Sequence, residues 1–116
     1  MEYSLKNSLM EIKVESLGAE LTGIKDLKTG KEYIWQKDPK FWAKSSPILF
    51  PFVGALKDNR YFYEGKEYNL TSKHGFARDY EFQVSDQGDD YLEFLFASSD
   101  ETKKVYPFDF KLYINM

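Results

Sequence analysis

Apolar and polar residues change places at every second position through one short run after another, with turn residues between the runs. A period of two sends alternate side chains to opposite faces of an extended chain, so it selects strands with one buried face. Leu9-Met10-Glu11-Ile12-Lys13-Val14-Glu15 is the clearest early example. Gly18-Ala19 breaks that run, and Glu20 to Leu27 follows as a weaker strand. Asp26 to Lys31 predicts a hairpin turn in which Gly30 takes a positive φ, and Lys31 to Trp35 predicts the returning strand. Tyr61 to Leu70 reads as a hairpin about Glu64-Gly65. Tyr80 to Ser85 and Tyr91 to Ala97 read as a pair around residues 86–90, and Phe108 to Ile114 as a further strand.

The segments between the strands are distinct. Gln36 to Pro47 has two prolines and no period, which predicts a loop with at most one helical turn. The apolar stretch Ile48 to Val53 follows it. Ser98-Ser99-Asp100-Glu101 has capping-box spacing, so a short helix is expected near Asp100 to Val105, stopped by Pro107. There is no internal repeat and no linker. Short strands at regular spacing predict an all-β antiparallel sandwich, with residues 1–116 as a single unit. The last strand runs almost to the final residue, where it exposes unpaired backbone unless something lies beside it. That is expected of a shortened piece of a longer chain, self-associating through its exposed sheet edges.

Composition narrows the partners. The 16 basic residues are interspersed with 19 acidic ones, for a net charge of −3 and a pI near 5.2. Nucleic-acid binders gather Lys and Arg on one face, so nucleic acid is not an expected partner. No apolar run approaches the roughly 20 residues of a membrane span, and the start has no basic-then-apolar leader. The absence of cysteine suits a reducing compartment. A soluble cytoplasmic protein is expected, with no membrane partner. Aromatic residues make up 18% of the chain, which sheets favour and which flat sugar-stacking surfaces also use.

Candidate chemistry is sparse. There is no Gly-rich phosphate loop, no defensible Ser/His/Asp order and no metal-ligand cluster. His74 is the only histidine, which excludes a multi-histidine metal site. It lies in Ser72-Lys73-His74-Gly75-Phe76-Ala77-Arg78-Asp79, a connection between strands, where binding groups often sit on a rigid scaffold. Gly75 lets backbone pass close by, Arg78 offers a planar fork of donors, and a histidine exchanges protons near neutrality. On residue chemistry alone the commoner outcome is a loop histidine bonded to backbone, with Arg78 paired to Asp79. Ser46 to Gly54 reads as a rigid buried segment, core at Ile48 and Leu49 above all. Trp35 and Trp42 are either a stacking surface or, more commonly for such residues, core.

An ordered series of motifs resembles the aldose 1-epimerase (galactose mutarotase)-like family, in its LacX-type and hexose-6-phosphate-mutarotase-like branch. The series is Gly18-Ala19-Glu20-Leu21, Gly30-Lys31-Glu32-Tyr33-Ile34-Trp35, Pro47-Ile48-Leu49-Phe50-Pro51-Phe52-Val53-Gly54, Gly65-Lys66-Glu67-Tyr68 and His74-Gly75-Phe76-Ala77-Arg78-Asp79. It covers nearly the whole chain, and the His-Gly-Phe-Ala-Arg block after a Gly-Lys-Glu-Tyr hairpin is its most specific part. The resemblance implies the N-terminal portion of a β-supersandwich more than twice this length. It implies an isomerase that interconverts the anomers of an aldose or sugar phosphate without a cofactor or metal. A carboxylate base takes the proton of the C1 hydroxyl while a histidine protonates the ring oxygen.

His74 is thereby implied as the family's first active-site histidine, and His74, Phe76, Arg78 and Lys57 as substrate contacts. The family's other substrate-binding arginine follows the Val-Gly pair, where this chain has Ala55, with Lys57 and Arg60 nearby but out of register. The second histidine, the binding aspartate and the base glutamate of the family match nothing up to position 116. The chain alone is therefore expected to be inactive. The alternative is a non-catalytic carbohydrate-binding or regulatory module on the same scaffold.

Overall fold

A computed structural model describes residues 1–116. Eight strands form three antiparallel groups. The first sheet holds β1 (Glu2–Lys6), β2 (Met10–Glu15) and β3 (Glu20–Asp26) in that order. A hairpin pairs β4 (Arg60–Tyr63) with β5 (Lys66–Asn69). The third group holds β6 (Gln83–Gln87), β7 (Leu92–Ala97) and β8 (Lys111–Asn115), with β7 in the middle. A single helix, α1 (Asp100–Lys103), joins β7 to β8. No helix is long and apolar enough to cross a membrane.

The alternation read from the sequence decides which face of each strand goes inward. In β7 the residues Leu92, Phe94 and Phe96 are all buried, Phe94 completely. Opposite, Val14 of β2 is also completely buried. Tyr3 meets Phe94 edge-on at 5.5 Å between ring centres, so the first and third sheets share one core. Ala19, Leu70, Phe76, Ala77 and Phe82 complete it. The hairpin turns where it was expected, with Glu64 at φ 49° and Gly65 at φ 75°, the left-handed pair that matches strand twist in a two-residue turn.

The shape is an open slab. Its extents are 57 × 34 × 18 Å and its radius of gyration is 16.6 Å, against about 13 Å for a compact domain of this length. β8 lies at the edge of its sheet, paired on one side only, with β7.

Three expectations need correction, and one strand was not anticipated. Residues 2–6 form β1, although the short Tyr3/Leu5 alternation was not singled out as a strand. Residues 31–35 do not form one: only Glu32 bridges to Lys25. Backbone pairing is limited to Asp26 N donating to Lys31 O (2.9 Å) and Tyr33 N to Ile24 O (2.9 Å), while the Glu32 carboxylate takes the Ile24 N–H (2.8 Å) and the Gln36 amide takes Ile34 O (2.8 Å), so the ladder does not continue. The helix cap is Ser99, whose hydroxyl accepts from Thr102 N while the Thr102 hydroxyl accepts from Ser99 N. Ser98 is instead held by Phe110 at the end of the β7–β8 ladder. Finally, Ile48 to Val53 is not uniformly buried: Leu49 is 39% exposed and Val53 73%.

Candidate functional site

Two irregular segments far apart in sequence lie side by side, Phe50–Gly54 and His74–Ala77. Phe50 O accepts from both Phe76 N (2.9 Å) and Ala77 N (3.1 Å), and Phe50 bridges Gly75 in parallel fashion. His74 N donates to Gly54 O at 3.0 Å. The approach at Gly75 is as close as backbone allows, since an added Cβ there would stand 2.1 Å from Phe50 O. Gly75 also sits at φ 78°, so the position demands glycine twice over. His74 itself is left-handed, at φ 71°, a conformation that non-glycine residues adopt only where the surroundings enforce it. Here the enforcing contacts are the three backbone hydrogen bonds to the Phe50–Gly54 strap.

His74 is half-buried, and its Nδ1 meets the carbonyl oxygen of Val53. That bond fulfils the backbone-bonded reading of a loop histidine for one ring nitrogen, and Nε2 has no partner within the protein. Arg78 is also half-buried, but it makes no hydrogen bond and no ion pair, and its Nε is buried without a partner. The expected pairing with Asp79 does not form: the ion pairs of the chain join other residues. A buried unsatisfied donor costs about 1–3 kcal/mol, which makes an unpartnered arginine a group waiting for an acceptor.

The remaining sequence candidates are spread. Phe76 is 7% exposed, with its ring against Phe50, Tyr80, Phe96, Tyr106 and Phe110, so it props the His74 block from the core side. Lys57 is exposed in a tight 3-10 turn, Lys57–Asn59, and forms no ion pair. Arg60 is committed elsewhere, at 2.9 Å from the Glu67 carboxylate and over the Phe62 ring. Ala55 is exposed. Lys57 is exposed, whereas His74 and Arg78 are half-buried.

A second cluster was not singled out from the sequence. Glu20 is buried at the start of β3, where its carboxylate accepts from Ser45 N (2.8 Å) and pairs with Lys37 Nζ (2.9 Å). Burial by itself would raise its pKa. The Ser45 N–H, Lys37 and Lys44 outweigh that and hold it below the ordinary carboxylate range. One carboxylate thereby tethers the 33–45 loop, whose Trp35 (43%) and Trp42 (50%) are half exposed rather than core. Trp35 Nε1 donates to Trp42 O at 2.8 Å and its ring meets Phe41 edge-on. The only early signal for this arrangement was a charged residue at an inward position of a strand.

Comparison with known proteins places the chain among relatives. A sequence model of the aldose 1-epimerase family matches residues 1–116. The plasmid-encoded protein LacX of Lactococcus lactis subsp. lactis is 35% identical over 97% of this chain and 38% of its own length. The crystal structure of a galactose mutarotase related enzyme from Lactobacillus acidophilus superposes with a TM-score of 0.95 at 39% identity, over 99% of this chain and 38% of that one. A galactose mutarotase-like protein from Lactobacillus casei gives 0.94 at 36%, over 99% of this chain and 39% of that one. The chain thus spans well under half the length of these proteins.

Proposed function

Because the chain belongs to the aldose 1-epimerase family, we propose that it is the carbohydrate-contacting part of an anomer-interconverting isomerase, with His74, Arg78 and Lys57 facing the sugar. The observation that carries this reading is the pair of unused polar groups on one clamped block, His74 Nε2 and the unpartnered Arg78. A sugar offers hydroxyl donors to the first and ring or hydroxyl acceptors to the second, or a phosphoryl group if the substrate is phosphorylated. The strap at Phe50–Gly54 holds the block in place before any ligand arrives, which lowers the ordering cost of binding. The protein is assigned to the cytoplasm, a placement supported by the lack of cysteine.

Ring opening needs a proton acceptor at the C1 hydroxyl and a donor at the ring oxygen. Within residues 1–116 only His74 is a histidine, and no carboxylate lies in the 72–78 block. The chain by itself is therefore expected to leave mutarotation at the background rate, because general acid–base help is worth about 10²–10⁴ per group. Polarimetry with α-glucose or α-galactose tests this: a rate enhancement abolished by His74→Ala would place a complete catalytic site within these residues.

One observation favours a binding module without catalysis. Ala55 stands exposed where the family carries an arginine, and Arg60 is held by Glu67 and so does not replace it. Sugar binding with no rate enhancement in the whole protein would establish that alternative. We also assign self-association to the free edge of β8, whose outward N–H and C=O groups seek a strand. Sedimentation should find dimers or larger species, and a clean monomer at high concentration would refute the assignment.

A further inference from the structure

The Val53 carbonyl decides how His74 meets its ligand. A carbonyl oxygen only accepts, so the nitrogen facing it, Nδ1, carries the proton. A neutral imidazole has one N–H, which leaves the lone pair on Nε2. The opposite tautomer would set the Nδ1 lone pair against those of the carbonyl oxygen. The side chain has little freedom to avoid the choice. His74 N is bound to Gly54 O, the next two N–H groups past Gly75 are bound to Phe50 O, and the left-handed backbone at His74 and Gly75 leaves no room for the loop to retreat.

We infer that His74 acts at the site as a hydrogen-bond acceptor through Nε2, and so reads a hydroxyl donor of a neutral aldose rather than an anionic oxygen. This rests on the sugar-site reading above and adds to it a division of labour. The donor for acceptor atoms of the ligand, a phosphoryl oxygen included, is then Arg78 or Lys57, not the histidine.

The sole histidine makes the test direct, because only one imidazole contributes to the spectrum. Long-range ¹H–¹⁵N correlation on the ¹⁵N-labelled chain at pH 8 identifies the unprotonated nitrogen by its couplings. Nε2 couples to both ring protons, Hε1 and Hδ2, whereas Nδ1 couples strongly to Hε1 alone. The expected result is an unprotonated Nε2 whose resonance moves towards the protonated range when galactose or glucose is added, and stays still with inorganic phosphate at the same concentration. An unprotonated Nδ1 overturns the inference even if the sugar binds. So does a correct tautomer whose Nε2 stays still, or responds to phosphate instead, while the backbone of residues 75–78 shifts with sugar. Absence of any sugar-induced shift in the chain overturns the underlying site reading, and the inference falls with it.

Discussion

The strap-and-block region, residues 50–54 against 74–77, and the 33–45 loop are both irregular, both rich in aromatic residues, and both lie between strands. They are held by opposite means. The first is fixed by backbone-to-backbone hydrogen bonds and by a ring cluster in which Phe50 and Phe76 each touch several neighbours. The second is fixed by side chains, chiefly the Glu20 carboxylate, with Glu32 and Asp38 binding nearby amides. Backbone clamps do not titrate and fail only when geometry is violated. Carboxylate tethers fail when the charge is removed. The ligand-contacting role proposed for His74 calls for the first kind.

The largest effect is expected where the clamp has no slack. Gly75→Ala brings a Cβ to 2.1 Å from Phe50 O at a left-handed residue, and should cost about 3 kcal/mol or more in urea unfolding. Gly30→Ala is the control. Its φ is 76° but nothing lies within 4 Å of the added carbon, so only the conformational term of about 1–2 kcal/mol remains. Equal losses at the two sites would mean that the strap does not press on the block.

A smaller loss, about 2 kcal/mol, is expected for Glu20→Gln, which removes a charge bonded to Ser45 N and Lys37. Its folded carboxyl is held below the ordinary range. The unfolded chain therefore takes up the proton first, near the ordinary glutamate value of about 4.3. The stability Glu20 contributes is fully present above that pH and is lost as pH falls from there through the depressed folded value. Unfolding followed from pH 7 to pH 3 should show wild type losing more than Glu20→Gln, with Trp35 and Trp42 fluorescence reporting the loosened loop. A pH dependence identical in the two proteins would remove Glu20 from its role as tether.

The contrast also sets what the sequence made legible. Strands whose inward residues alternate over five or more positions were readable, as in β2 and β7, because the period depends on local geometry alone. The run from Lys31 to Trp35 has the same look but is not a strand: its pairing with β3 stops after a single bridge at Glu32, whose carboxylate takes the Ile24 N–H. The 74–78 block stood out in the sequence through its resemblance to a family motif. Its partner was not: the Phe50–Gly75 bridge joins residues 25 positions apart, and no local pattern announces it. Nor did the sequence reveal that Arg78 would lack a partner with Asp79 beside it, or that Glu20 would be buried, because both depend on which distant segments come to rest against them.

The measurement closest to the central claim is a titration of the ¹⁵N-labelled chain with galactose or glucose, followed residue by residue in the amide spectrum. With one or two hydrogen bonds to supply, each worth about 1 kcal/mol, binding should be weak, in the millimolar range or above. The shifts should gather at Val53 to Ala55 and His74 to Arg78, and His74→Ala should abolish them. Shifts confined to the Trp35, Phe41 and Trp42 surface, or none at all, would contradict the assignment of the sugar contact to the clamped block.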